Sequence, residues 1–225
     1  MSEHSILFFV LFPLAAYVMG SVPFGVLIAR AHGVDLRKVG SGNVGATNVG
    51  RTLGRKWGYL CFLLDVLKGL APVLTAGLLL RRQEGFPSEL HQVAWLSVAF
   101  AAVLGHVFSI FLKFRGGKGV ATSLGVVLGV FPYFTWPGLT AFGLWIVVTL
   151  ISRYVSVGSI VAAVAFLPLF AAFNWSRVTK LWPLGAFAAS VVLLILLRHR
   201  GNVRRLLAGE ESRIGRKSSN APAAR

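Results

Sequence analysis

Residues 105–122 read GHVFSIFLKFRGGKGVAT, an apolar run that breaks on Lys113, Arg115 and Lys118 among Gly116, Gly117 and Gly119 and then resumes. The apolar stretches on either side, 92–112 and 119–152, are of membrane-crossing length. In hydrocarbon every backbone polar group needs an internal partner, so such stretches are predicted to be helices. Consecutive glycines let the chain turn its N–H groups toward one point. A helix starting at Gly119 adds its positive dipole end. The expected guest of such a turn is a phosphate at a membrane surface.

The rest of the chain repeats the apolar theme. Of 225 residues 56% are hydrophobic, and the mean hydropathy is +0.73, too apolar for an ordinary soluble domain. No charged residue occurs in 5–29, and further apolar runs cover 57–80, 155–174 and 181–197. The run 119–152 holds 34 uncharged residues, about 50 Å as one helix, well beyond a bilayer core. Pro132 and Pro137 break it, so two short spans are predicted there, with a re-entrant pair as the alternative. The expected fold is an all-α polytopic membrane protein of about seven transmembrane helices, a single domain over 1–211. A disordered basic tail is predicted over 212–225.

Charge sets the expected orientation. With seven spans, eighteen Lys and Arg fall on one side and four (Arg81, Arg82, Arg177 and Lys180) on the other. The positive-inside rule then puts the N-terminus outside and the C-terminus in the cytoplasm. The net charge of +16 largely expresses this asymmetry and an attraction to anionic membrane lipids, and no nucleic-acid partner is expected. Cys61 stands alone, which excludes a disulfide framework or thiolate metal cluster. The first apolar run lacks a basic leader and follows Glu3, so it reads as a retained helix. Within the second run, Asp65 and Lys68 are spaced to neutralise each other.

Three polar segments interrupt the apolar pattern, and the seven-span topology puts all three on the cytoplasmic face. In 39–51, VGSGNVGATNVGR, Ser41, Asn43, Thr47 and Asn48 can hydrogen-bond a polyol and Arg51 can grip phosphate in a bidentate manner. The second segment, 113–122, is not a Walker A loop, because Gly119 follows Lys118 and Leu112 replaces the first glycine. The third, 198–211, RHRGNVRRLLAGEE, places His199 among cations that favour its neutral, basic form. Val203, Leu206 and Leu207 share a face, as in an amphipathic segment lying on the membrane. His106 reads equally as a structural anchor or a site residue, and His4, His32 and His91 receive no role.

Taken together, SGNVGATNVGR, GHVFSIFLKFRGGKGVAT and RHRGNVRRLLAGEE resemble the bacterial PlsY family of acyl-phosphate-dependent glycerol-3-phosphate acyltransferases, in order and spacing across nearly the whole chain. One departure is Ser109, where the family often has proline. The resemblance implies an inner-membrane enzyme with its active site open to the cytoplasm. It would acylate the 1-hydroxyl of glycerol 3-phosphate from acyl phosphate, giving lysophosphatidic acid and phosphate without a cofactor or metal. It also implies, as a further partner, the enzyme that makes acyl phosphate. By motif position, Ser41, Arg51, Lys118, His199 and Asn202 look catalytic. Gly116, Gly117 and Gly119 look like a phosphate loop, with His106 and Thr122 of the same motif as substrate-binding positions. Glu210 looks like a structural partner for nearby cations.

Rival chemistries fit less well. Acyl-CoA-dependent acyltransferases of the H-x4-D type need an aspartate where His106 is followed by Phe111 and His199 by Arg204. CDP-alcohol phosphotransferases need several metal-binding aspartates, and only Asp35 and Asp65 are present. A transporter would carry a repeat and ionisable residues along a midplane path.

Overall fold

The computed structural model describes residues 6–214, and they are mostly helical, the longest connection being 32–45. A π-turn, Leu7–Leu11, leads into α1 (Phe12–Ser21), followed by α2 (Phe24–Ala31), α3 (Ala46–Leu53), α4 (Arg55–Leu80) and α5 (Glu89–Val107). Then come α6 (Val120–Gly129), α7 (Thr135–Ser152), α8 (Val155–Phe173) and α9 (Trp182–Leu207). Among the described residues, six helical segments are long and apolar enough to cross a membrane, and Val120–Gly129 is a shorter apolar helix. The chain is an all-helical integral membrane protein. The expected tail lies mostly outside the described residues, and so do Glu3 and His4.

The run 119–152 does split at the Pro132 turn, but unequally, into helices of 10 and 18 residues. Pro137 sits in the first turn of α7, where its missing N–H costs no helical bond. The ten residues of α6 extend only about 15 Å. Its turn nonetheless reaches the end of the molecule opposite Lys118. There Arg81, at the end of α4, donates to the Phe131 carbonyl, and Asn174, at the end of α8, donates to that of Tyr133 at 3.0 Å.

Neighbour contacts give the directions of α4, α5, α6 and α9. Asp65 of α4 lies 3.7 Å from His106 of α5, while Val73 of α4 accepts from Trp95 of α5 (2.7 Å), so α4 and α5 are antiparallel. Gly69 of α4 faces Thr122 and Val73 faces Gly129, so α6 runs parallel to α4. α9 begins near Gln92, which donates to Lys180 at 3.0 Å, and finishes beside Lys118. The chain thus passes to and fro between two ends. All three polar segments gather at the end where α9 stops.

The break between α1 and α2 shows how irregular backbone is tolerated inside the bundle. Pro23 has no N–H to donate, and Val22 is extended. A carbonyl freed in hydrocarbon would cost several kcal/mol if left bare. The Ser21 carbonyl instead accepts from the Ser109 hydroxyl (2.5 Å), and the Val22 carbonyl from the Lys68 ammonium (2.8 Å). Ser109 therefore has a use that a proline could not supply. The predicted Asp65–Lys68 pair forms at 2.7 Å within the bundle, with His106 Nδ1 3.7 Å from the same carboxylate oxygen.

Candidate active site

Four elements deliver the site: α3, the glycine turn before α6, the end of α9, and the start of α8. His199 and Asn202 are three residues apart on α9 and share a face. Lys118 donates to the Asn202 side-chain oxygen, and the Asn202 amide donates to Glu211 at 2.6 Å. The same carboxylate accepts from the Ser156 hydroxyl (2.9 Å) and from Arg205 Nε (2.9 Å). Arg51, in the last turn of α3, donates to the Ser212 carbonyl at 2.9 Å. Lys118, Asn202 and Glu211 form a chain of hydrogen bonds, with Arg51 held one residue beyond Glu211.

His199 is 2% exposed, and its Nδ1 lies 2.8 Å from the Ile195 carbonyl. A carbonyl can only accept, so Nδ1 carries the hydrogen and Nε2 is left as the basic nitrogen. Burial pushes the Lys118 ammonium down to about 8; Glu211 opposes this, and Arg205, Arg51 and Arg198 reinforce it. Arg51 is likewise lowered by burial, against the pull of Glu211. Burial alone would raise the Glu211 carboxyl, but hydrogen bonds from Asn202, Arg205 and Ser156 hold it below its ordinary range. The site is a partly dehydrated concentration of positive charge with one fixed carboxylate, suited to polyanionic ligands.

Several expectations are corrected. The Gly116 and Gly117 N–H groups do not form a phosphate nest, because they donate to the carbonyls of Val107 (3.0 Å) and His106 (3.1 Å). A Cβ on Gly116 would strike the His106 carbonyl, and one on Gly117 its imidazole, so these glycines permit close approach to α5. Their own carbonyls accept from Arg198 at 3.2 Å each. Gly119, at φ +87, caps α6 in the left-handed region, and the N–H groups at that helix start face the Lys118 end.

His106 groups with Asp65 and Lys68 beneath the turn, supporting it rather than joining the Lys118 cluster. Thr122 is fully buried with its carbonyl against Gly69, a helix-packing role. Asn48 is 1% exposed, and its amide is consumed by the carbonyls of Leu36 and Val39 (3.1 Å each) and the Ser41 N–H (2.9 Å). It shapes the loop instead of touching a ligand. Ser41 and Thr47 are exposed and Asn43 half-buried, with no side-chain hydrogen bonds among the described residues.

The cation partner is Glu211, not Glu210. Gly209, at φ +71, ends α9 with its N–H bonded to Leu206 and that of Glu210 bonded to Arg205 (2.8 Å), a Schellman turn. The reversal leaves Glu210 exposed and swings Glu211 back onto the helix. Ser156 was also not foreseen. Its only signal is a hydroxyl at the site-facing end of a span, just after Arg153. The segment 198–207 is no separate surface helix but an unbroken continuation of α9.

Beside the cluster an apolar cavity of about 110 Å³ runs between α6, α7, α8 and α9, with Val120 and Ile195 at the end nearest Lys118 and His199.

The family model described as glycerol-3-phosphate acyltransferase matches residues 10–209. A protein of that name from Geobacter sulfurreducens is 48% identical over 200 residues, covering 88% of this chain and 94% of the relative. One from Aquifex aeolicus is 46% identical over 211 residues, covering 92% and 98%. Among solved structures, the integral membrane glycerol 3-phosphate acyltransferase PlsY is similar in its glycerol 3-phosphate form, with TM-score 0.78 and 42% identity over 91% of this chain and 94% of that one. Its lysophosphatidic acid form matches with TM-score 0.76 and 41% identity over the same shares.

Proposed function

The chain belongs to the glycerol-3-phosphate acyltransferase family, and on that premise we propose that it transfers an acyl group from acyl phosphate to the 1-hydroxyl of sn-glycerol 3-phosphate. The products are lysophosphatidic acid, the entry to phospholipid synthesis, and inorganic phosphate. The observation that carries this reading is the Lys118–Asn202–Glu211 chain, with Arg51 beside it, at the mouth of an apolar cavity. Both substrates are phosphates, and one bears a long alkyl tail.

Arg51 holds the phosphate of glycerol 3-phosphate, exchanging the Ser212 carbonyl for a charged acceptor. Ser41, Asn43 and Thr47 serve the glycerol hydroxyls. Lys118 and the open N–H groups at the start of α6 take the phosphate of the donor, whose chain enters the cavity. The 1-hydroxyl oxygen attacks the acyl carbon, and its proton passes to His199 Nε2 or to a substrate phosphate. The carbonyl re-forms as the C–O bond to phosphate breaks. Acyl phosphate already carries a good leaving group, so the protein needs no covalent nucleophile. Aligning the two substrates can supply up to roughly 7–11 kcal/mol in ideal cases, and Lys118 stabilises the charge that develops.

We further place the protein in the bacterial inner membrane with seven crossings, the N-terminus outside and the Lys118 end in the cytoplasm, where an enzyme that makes acyl phosphate can supply the donor. The alternation of helix directions and the positive-inside bias support this topology. The assignment is tested by supplying the purified chain with glycerol 3-phosphate and palmitoyl phosphate, palmitoyl-CoA or palmitoyl acyl carrier protein, and following lysophosphatidic acid and phosphate. Product from palmitoyl phosphate alone is the expected result. Preferential use of a thioester donor would overturn the acyl-phosphate assignment.

A further inference from the structure

Along α9 the apolar cavity is lined from Ile195, one turn before His199, to Phe187. From His199 to Phe187 is 12 residues, about 18 Å along the helix, so an extended acyl chain of roughly 14 carbons would reach from the reacting carbonyl to Phe187. At its far end the cavity meets Phe134, which is 1% exposed. The Phe134 ring stands edge-on to Phe166 with centroids 5.2 Å apart and stacks on Phe187 at 6.1 Å. Behind it lies Phe170, edge-on at 5.3 Å and outside the cavity lining, so the ring is backed by packed core. Before the aromatic rings the lining turns small, at Ala141 and Ala188.

We propose that Phe134, Phe166 and Phe187 form a plug that sets the longest acyl group whose carbonyl carbon can still reach Lys118 and His199. The proposal rests on the acyl-transfer reading and adds the residues that select the donor. A donor too short for the cavity forgoes apolar burial, roughly fourfold in affinity per missing methylene. A donor too long meets a close-packed wall that does not yield. Selectivity should therefore fall gently on the short side and steeply on the long side.

The test is kcat/KM for saturated acyl phosphates graded from decanoyl to icosanoyl, in the full chain and two variants. Phe187→Ala opens the plug, and its optimum should lengthen by about two carbons or more, since a lost ring frees the volume of several methylenes. Ala188→Leu fills the last turn of the cavity, and its optimum should shorten, with the KM for glycerol 3-phosphate unmoved in both. If Phe187→Ala does not fold, Ala188→Leu decides alone. An unchanged order of donors in a folded Ala188→Leu protein would overturn the plug. Failure of the unsubstituted chain to use any acyl phosphate would overturn the acyl-transfer reading, and the plug with it.

Discussion

Lys118 is the residue at which the physical argument is sharpest. Burial, reinforced by three neighbouring arginines and opposed by Glu211, pushes its ammonium down to about 8. The amine must be protonated to bind phosphate and stabilise the departing group. With acyl phosphate, kcat/KM should therefore fall as pH rises through about 8, the folded-state value for the free enzyme. Bound phosphate favours the charged form, so the corresponding limb in kcat should lie higher. A kcat/KM that stays flat to about pH 10 would mean that Lys118 is not the titrating group. In Lys118→Ala that limb should vanish along with at least about a hundredfold of kcat, the scale for removing one preorganised donor, while the helical circular dichroism is retained.

At the scale of the element, the Schellman turn after α9 decides which of two adjacent carboxylates matters. Glu211 accepts from three side chains, and Glu210 points into solvent. Hydrogen bonds to a charged group contribute about 1.5–3 kcal/mol, so Glu211→Gln should lower kcat/KM by roughly tenfold or more. Glu210→Gln should stay within about twofold. Comparable losses in both variants would refute the assignment. The motif 198–211 was legible as a site segment, but an EE pair does not disclose which member folds back. The glycine turn was misread for a similar reason. Its spacing is the same whether the N–H groups face a ligand or a neighbouring helix, and here α5 takes them. Asn48 looked like a ligand-binding amide because nothing local reveals that its partners lie 7 to 12 residues upstream.

For the whole molecule, hydropathy carried most of the architecture, since each span is set by the thickness of a bilayer. It failed on lengths within 119–152, where a ten-residue helix suffices because the turn after it reaches Arg81 and Asn174. The convergence of Arg51, Lys118, His199 and Asn202 was legible once the polar segments fell on one face. Ser156 was not, because it comes from a span whose sequence is otherwise uniform. Acyl transfer is proposed at the Lys118 end of the bundle, facing the cytoplasm, and sealed vesicles of known sidedness test that placement. The full chain is placed in vesicles with palmitoyl phosphate in the bilayer, and labelled glycerol 3-phosphate is added outside. Inside-out vesicles should form lysophosphatidic acid at once, and right-side-out vesicles only after permeabilisation. Equal rates in both before permeabilisation would contradict the one-sided placement, and no product in either afterwards would contradict acyl transfer itself.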